Sequence, residues 1–221
     1  MQTSIPIITG ASLTGMPELI RSQLGPLAER RAFGSAGLTP EVVATENAFI
    51  PESALVTFID STARQAGMPN LGLAIAQHLS LTRYGTWGRY LMEAETLGAS
   101  LARCRAAIQM HASYSTFRVE QEAGLVWVRY RFPTSAQDGY ANLAFCGVGI
   151  LIDYARQYAE PDWLPEVIEF DIPRPPRIVD IEDAFPCRLR FSARCLGIGI
   201  DPALLGTRPR NPLPEQRTTL A

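Results

Sequence analysis

Apolar positions along the chain follow two periods, and the switch between them divides it. Residues 1–12 show neither. From Pro17, Leu19, Ile20, Leu24 and Leu27 recur at helical spacing toward Arg31, and Gly34 to Pro40 reads as a turn region. Thr39-Pro40-Glu41 has the form of a helix start, and Phe49-Ile50-Pro51 that of extended chain before a proline. From Pro51 the helical spacing strengthens. Leu55, Phe58, Ile59 and Thr62-Ala63 share one face up to Gly67, and further helices are predicted over Leu71–Leu79 and Trp87–Ala94. After Thr96, a helix cap by type, Leu97, Leu101, Cys104, Ile108 and His111 form one stripe.

The period then shortens to two. Phe117 and Val119 alternate with Arg118 and Glu120. Past the turn Glu122-Ala123-Gly124, Val126, Val128, Tyr130 and Phe132 alternate with Trp127, Arg129 and Arg131. Such alternation predicts a β-hairpin with one apolar face. Tyr140 to Tyr158 is apolar on most sides and predicts a long buried helix, with Ala144, Gly147 and Gly149 permitting close approach. Strands are expected at Val167–Phe170, Leu189–Phe191 and Leu196–Ile200, with a short helix near Ile178–Phe185. The fold class expected is α+β, with N-terminal helices packed on an antiparallel sheet of about four to five strands. The division expected is a flexible lead over 1–14, a folded domain over 15–205 and a Pro-rich linker or tail over 206–221.

Composition excludes more than it assigns. Apolar residues make up 47% of the 221 residues and net charge is −2, which suits a globular domain and not a duplex-gripping one. All 20 basic residues are arginine, so lysine-dependent chemistry is excluded, whether a Schiff base or a P-loop lysine. The four cysteines form no C-x-x-C, and with only His78 and His111 they offer no clustered zinc set; all four are read as reduced. G-x-S-x-G is absent, and neither Gly147-Val148-Gly149 nor Gly197-Ile198-Gly199 joins a strand to a helix as a nucleotide fingerprint does. No enzyme and no cofactor is predicted. Without a signal sequence or a stretch of about 18 apolar residues, a cytoplasmic protein with no membrane partner is expected.

An ordered set of segments carries a family resemblance. These are Gly37-Leu38-Thr39 through Ile50-Pro51, Asn70-Leu71-Gly72-Leu73-Ala74-Ile75-Ala76, Tyr84-Gly85-Thr86-Trp87-Gly88-Arg89-Tyr90-Leu91, Thr96-Leu97-Gly98-Ala99-Ser100-Leu101, Phe185-Pro186-Cys187-Arg188-Leu189-Arg190-Phe191 and Asp201-Pro202-Ala203-Leu204-Leu205. Together they resemble the N-terminal arabinose-binding-type domain of AraC/XylS transcription regulators, in the branch of the ornithine- and arginine-responsive activators. The resemblance implies an activator's effector-sensing domain that forms a homodimer. It would act on DNA only through a C-terminal helix-turn-helix domain that this chain is expected to lack. The helices before the first strand speak against a simple cupin barrel, so the family name implies no sugar ligand.

Candidate effector contacts are Trp87, Tyr90, His111, Tyr114, Trp127, Arg129, Tyr140 and Phe145, an aromatic-rich set around the helix–hairpin–helix centre. Arg89, Arg129 and Arg131 are of the type that clamps a carboxylate, and Glu93 and Asp153 of the type that holds an amine or amino acid. His111 also admits an alternative. A helix ending in histidine, then a hairpin and a buried helix, loosely resembles haem-binding nitric-oxide sensors, whose Tyr-x-Ser-x-Arg motif Tyr114-Ser115-Thr116-Phe117-Arg118 matches only in type. A stand-alone small-molecule-binding protein is the other alternative.

Overall fold

A computed structural model of the chain describes residues 4–45, 48–212 and 218. Strand β1 (Ile7–Thr9) leads into a 3-10 turn (Gly10–Leu13), then α1 (Met16–Leu24), α2 (Pro26–Ala36), α3 (Glu41–Ala44), β2 (Phe49–Pro51), α4 (Glu52–Ala66) and α5 (Leu71–Ala76). A second 3-10 turn (Leu81–Arg83) precedes α6 (Gly85–Met92) and α7 (Leu97–His111). The hairpin β3 (Thr116–Glu122) and β4 (Leu125–Arg131) follows, then α8 (Tyr140–Arg156), β5 (Val167–Glu169), α9 (Val179–Ala184), β6 (Arg188–Arg190) and β7 (Leu196–Ile200).

The α+β expectation holds: helices pack on one face of a five-stranded sheet ordered β3-β4-β7-β5-β6. One pairing departs from it. β5 and β6 are parallel, with Ile168 opposite Leu189. The chain between them carries α9, and a crossover of that length is what a parallel pair requires. The period-two reading of the hairpin fixes which face is inside. Val128, Ile198 and Ile168 lie in register across the middle of the sheet, and all three are buried.

The long helix α8 lies against that apolar face. Gly147 marks the crossing point, where an added Cβ would come within 2.8 Å of Leu196 and 2.9 Å of Phe132. On its other side α8 carries α5. Gly72 brings the two backbones so close that a Cβ would stand 2.2 Å from the Asn142 carbonyl oxygen. The amide of Gly72 donates to the Asn142 side chain at 2.7 Å, and that side chain's own amide donates to the Pro69 carbonyl. Thr96 caps α7 as its residue type suggested, accepting from the Ala99 amide.

Two local readings change. The helical stretch after Pro17 is two helices, because Gly25 takes φ 88° and Pro26 starts α2 anew. Within the leading segment, β1 pairs with β2 and buries Ile8, which also bridges to Ala112 at the end of α7. A three-residue strand is too short to leave a period in the sequence. At the other end, Thr207 accepts from the Leu97 amide and Arg210 donates to Gln157 and Arg156. The remaining parts of the expected lead and tail, residues 1–3, 213–217 and 219–221, lie outside the described residues.

Candidate functional site

Where β1 and its turn close over the helices and the sheet, the side chains leave a cavity of about 70 Å³. One wall is α8, through Leu143, Cys146, Gly147, Ile150 and Leu151. Facing it are Tyr130 and Phe132 at the end of the hairpin, Leu55 of α4, and Ile8, Ser12 and Met16 from the N-terminal segment. Tyr84, Leu79 and His111 complete the lining. Its volume is several times the roughly 10–15 Å³ that one water needs, and about half of the roughly 150 Å³ of a cavity that takes benzene.

The polar side chains among the described residues of this wall are few. Thr9 and His111 share a 2.8 Å hydrogen bond through the histidine Nδ1. The imidazole stacks on Trp87 at 5.3 Å and on Tyr84 at 5.6 Å. Burial pushes its pKa down to about 4, so it is neutral at physiological pH. Burial likewise raises the Tyr84 phenol and the Cys146 thiol well above their usual values, keeping both protonated. Tyr130 donates to Ser115 at 2.9 Å. Behind it, the fully buried Glu52 accepts from the Thr134 amide and hydroxyl and from Ser115. Burial raises the Glu52 carboxyl's pKa, against those hydrogen bonds. Ser12 differs: its hydroxyl is buried in the cavity wall and has no hydrogen-bond partner among the described residues.

Of the residues singled out from the sequence, His111 lines the cavity and Trp87 supports it by stacking. The others lie apart. Tyr90 packs on Trp87 and under Arg103, and Phe145 is buried against Phe170. Tyr140 donates to Asp171. Tyr114 is exposed, with φ 62°. Trp127 and Arg129 belong to the outer sheet face, where Arg129 lies over the indole and bonds Glu120, Glu122 and Glu169. A groove of about 580 Å³ runs there, but its central guanidinium is already committed to three carboxylates. Arg131 is exposed and Arg89 donates to Thr86.

Neither carboxylate proposed for a cationic ligand faces the cavity. Asp153 accepts from the Leu81 amide, Ser80 and Gln157, and Glu93 accepts from Thr218. The haem alternative does not fit these residues either. The cavity is far smaller than a porphyrin, and Tyr114, Ser115 and Arg118 are respectively exposed, bonded to Tyr130 and exposed on β3.

The cavity residues Ser12, Ile8, Leu55, Leu143 and Leu151 carry no sequence signal of their own. Their types are those of ordinary core positions, and only tertiary packing brings them together.

The lining is mostly apolar, with few polar groups. The family model for the arabinose-binding domain of AraC transcription regulators, N-terminal, matches residues 27–209. The crystal structure of transcriptional regulator CdpR from Pseudomonas aeruginosa superposes with a TM-score of 0.60 at 18% identity, over 83% of this chain and 57% of that one. At that identity the likeness shows the fold alone, and the chain spans little more than half the length of that regulator. No curated protein matches it in sequence. The chain belongs to the family of the arabinose-binding N-terminal domain of AraC transcription regulators.

Proposed function

We propose that this chain is the effector-sensing part of a cytoplasmic transcription activator, that the cavity beside His111 is the effector site, and that two copies associate. DNA is reached only through a helix-turn-helix domain outside this sequence. Binding occurs without turnover. The observation that carries the reading is the cavity itself, built at the junction of β1, α4, α8 and the hairpin. A ligand there touches elements from the N-terminal strand to α8. It shifts their relative arrangement only by as much as it prefers one arrangement over another. Membership in the family of AraC N-terminal domains supports the role of sensor.

The reading is tested by a thermal-shift screen of the chain against amines, amino acids, fatty acids, sugars and small neutral compounds. A ligand bound only by the folded state raises Tm by mass action. At least one class should raise it saturably. Ile150→Phe, which narrows the cavity from a half-buried position of α8, should remove that shift. A screen with no shift in any class, or a shift untouched by Ile150→Phe, contradicts the proposal.

A further inference from the structure

We infer that the cavity takes an uncharged ligand, a compact apolar body bearing one hydrogen-bonding group that pairs with the Ser12 hydroxyl. This inference rests on the reading of the cavity as the effector site. It departs from the amines and amino acids suggested by the sequence.

Two independent observations lead to it. The first concerns charge. Among the described residues, the lining carries no charged side chain. The nearest carboxylates are turned to other work: Glu52 lies behind Tyr130 and Ser115 with both oxygens bonded, and Asp153 holds the Leu81 turn. An ammonium or carboxylate entering this wall would lose its hydration and meet no counter-charge, which is strongly unfavourable. A neutral alkyl or aryl group suits the same wall, since Leu55, Phe132, Leu143 and Leu151 present only carbon to it.

The second concerns Ser12. It is 3% exposed and its Oγ has no partner among the described residues. A buried hydroxyl left unpaired is costly, so an alanine at this position would favour the empty protein. The hydroxyl is held on a firm support. In the 3-10 turn the Gly10 amide donates to Ala48 and the Thr14 amide to Ala11. Gly10 lies so close to α3 that a Cβ there would be 2.5 Å from the Val42 carbonyl oxygen. The turn therefore holds one unpaired polar atom, at a fixed place, within the wall of an otherwise apolar space. His111 lines the same cavity with Nδ1 engaged by Thr9, a neutral neighbour that adds no charge requirement.

The experiment is a titration of the chain with butan-1-ol, butylammonium, butyrate and cyclopentane, read by the methyl NMR signals of Ile8, Met16 and Ile150. Butan-1-ol and cyclopentane should shift these signals saturably, and neither ion should. Ser12→Ala should weaken butan-1-ol about fivefold to tenfold, the loss of one neutral hydrogen bond, and leave cyclopentane unchanged. Ser12→Thr, which keeps the hydroxyl, should retain the alcohol's affinity. Binding of either ion at least as tight as the alcohol overturns the inference. So does an alcohol affinity unaffected by Ser12→Ala; if cyclopentane still binds in that case, the cavity reading survives and only the role of Ser12 falls. Absence of a saturable shift with every probe overturns both.

Discussion

At the scale of the residue, the cavity is governed by groups that stay neutral. His111 is the clearest case, because burial disfavours its charged form. Its pKa falls from 6.5 to about 4 on folding. The unfolded chain therefore binds the proton more readily between those values. The histidine's contribution to stability is complete above about pH 6.5 and is lost as pH falls toward 4. Denaturant titrations of the chain across this window should show a decline on the order of 2–3 kcal/mol from this group. In His111→Gln that part of the slope should be missing; an identical slope in the variant would mean that the imidazole is not buried in its neutral form. Sequence reasoning reached His111 because a histidine on an apolar helical stripe is chemically conspicuous. It did not reach Ser12, since a serine in a short turn looks the same whether its hydroxyl meets solvent or a cavity. The aromatic candidates Tyr90, Tyr140 and Phe145 were equally conspicuous by type, yet packing directs each of them elsewhere.

At the scale of the element, the cavity exists because the helices are fixed at unusually short range. α5 meets α8 at Gly72 and again at Gly149, where a Cβ would come within 2.7 Å of Ala76. These contacts hold the α8 wall in place while Cys146, Ile150 and Leu151 face the opening. Gly72→Ala must push apart two backbones and should cost about 1–3 kcal/mol, the usual range for overpacking a well-packed core. Urea unfolding measures this, and an unchanged midpoint would show that α5 and α8 are not in the close contact described. Elements with several turns of one period, such as α4, α7 and the β3–β4 hairpin, were legible from the pattern alone. β1 was not, having three residues and no period. Nor was the parallel direction of β6, because alternation reveals which residues share a face and says nothing of which way the neighbouring strand runs.

At the scale of the whole molecule, the family explains what the elements are for. An AraC-type N-terminal domain gains a sensing role if occupancy of one internal space is felt by several elements at once. Here the N-terminal strand and turn, α4, α8 and the hairpin all contribute to one wall. The outer sheet face is a different surface, with Trp127 beneath Arg129 and Arg190 and the three glutamates bound to Arg129. The fold class was readable from the order of helices and strands. The location of the cavity was not, because residues 8, 55, 84, 111, 132 and 151 meet only once the chain has folded. The claim on which the account depends is that this hollow is real and open to an apolar guest. A crystal of the chain pressurised with xenon tests it directly. The account predicts a xenon peak bounded by Ile8, Leu55, Phe132 and Leu151. Density showing these side chains packed together with no xenon among them would contradict it.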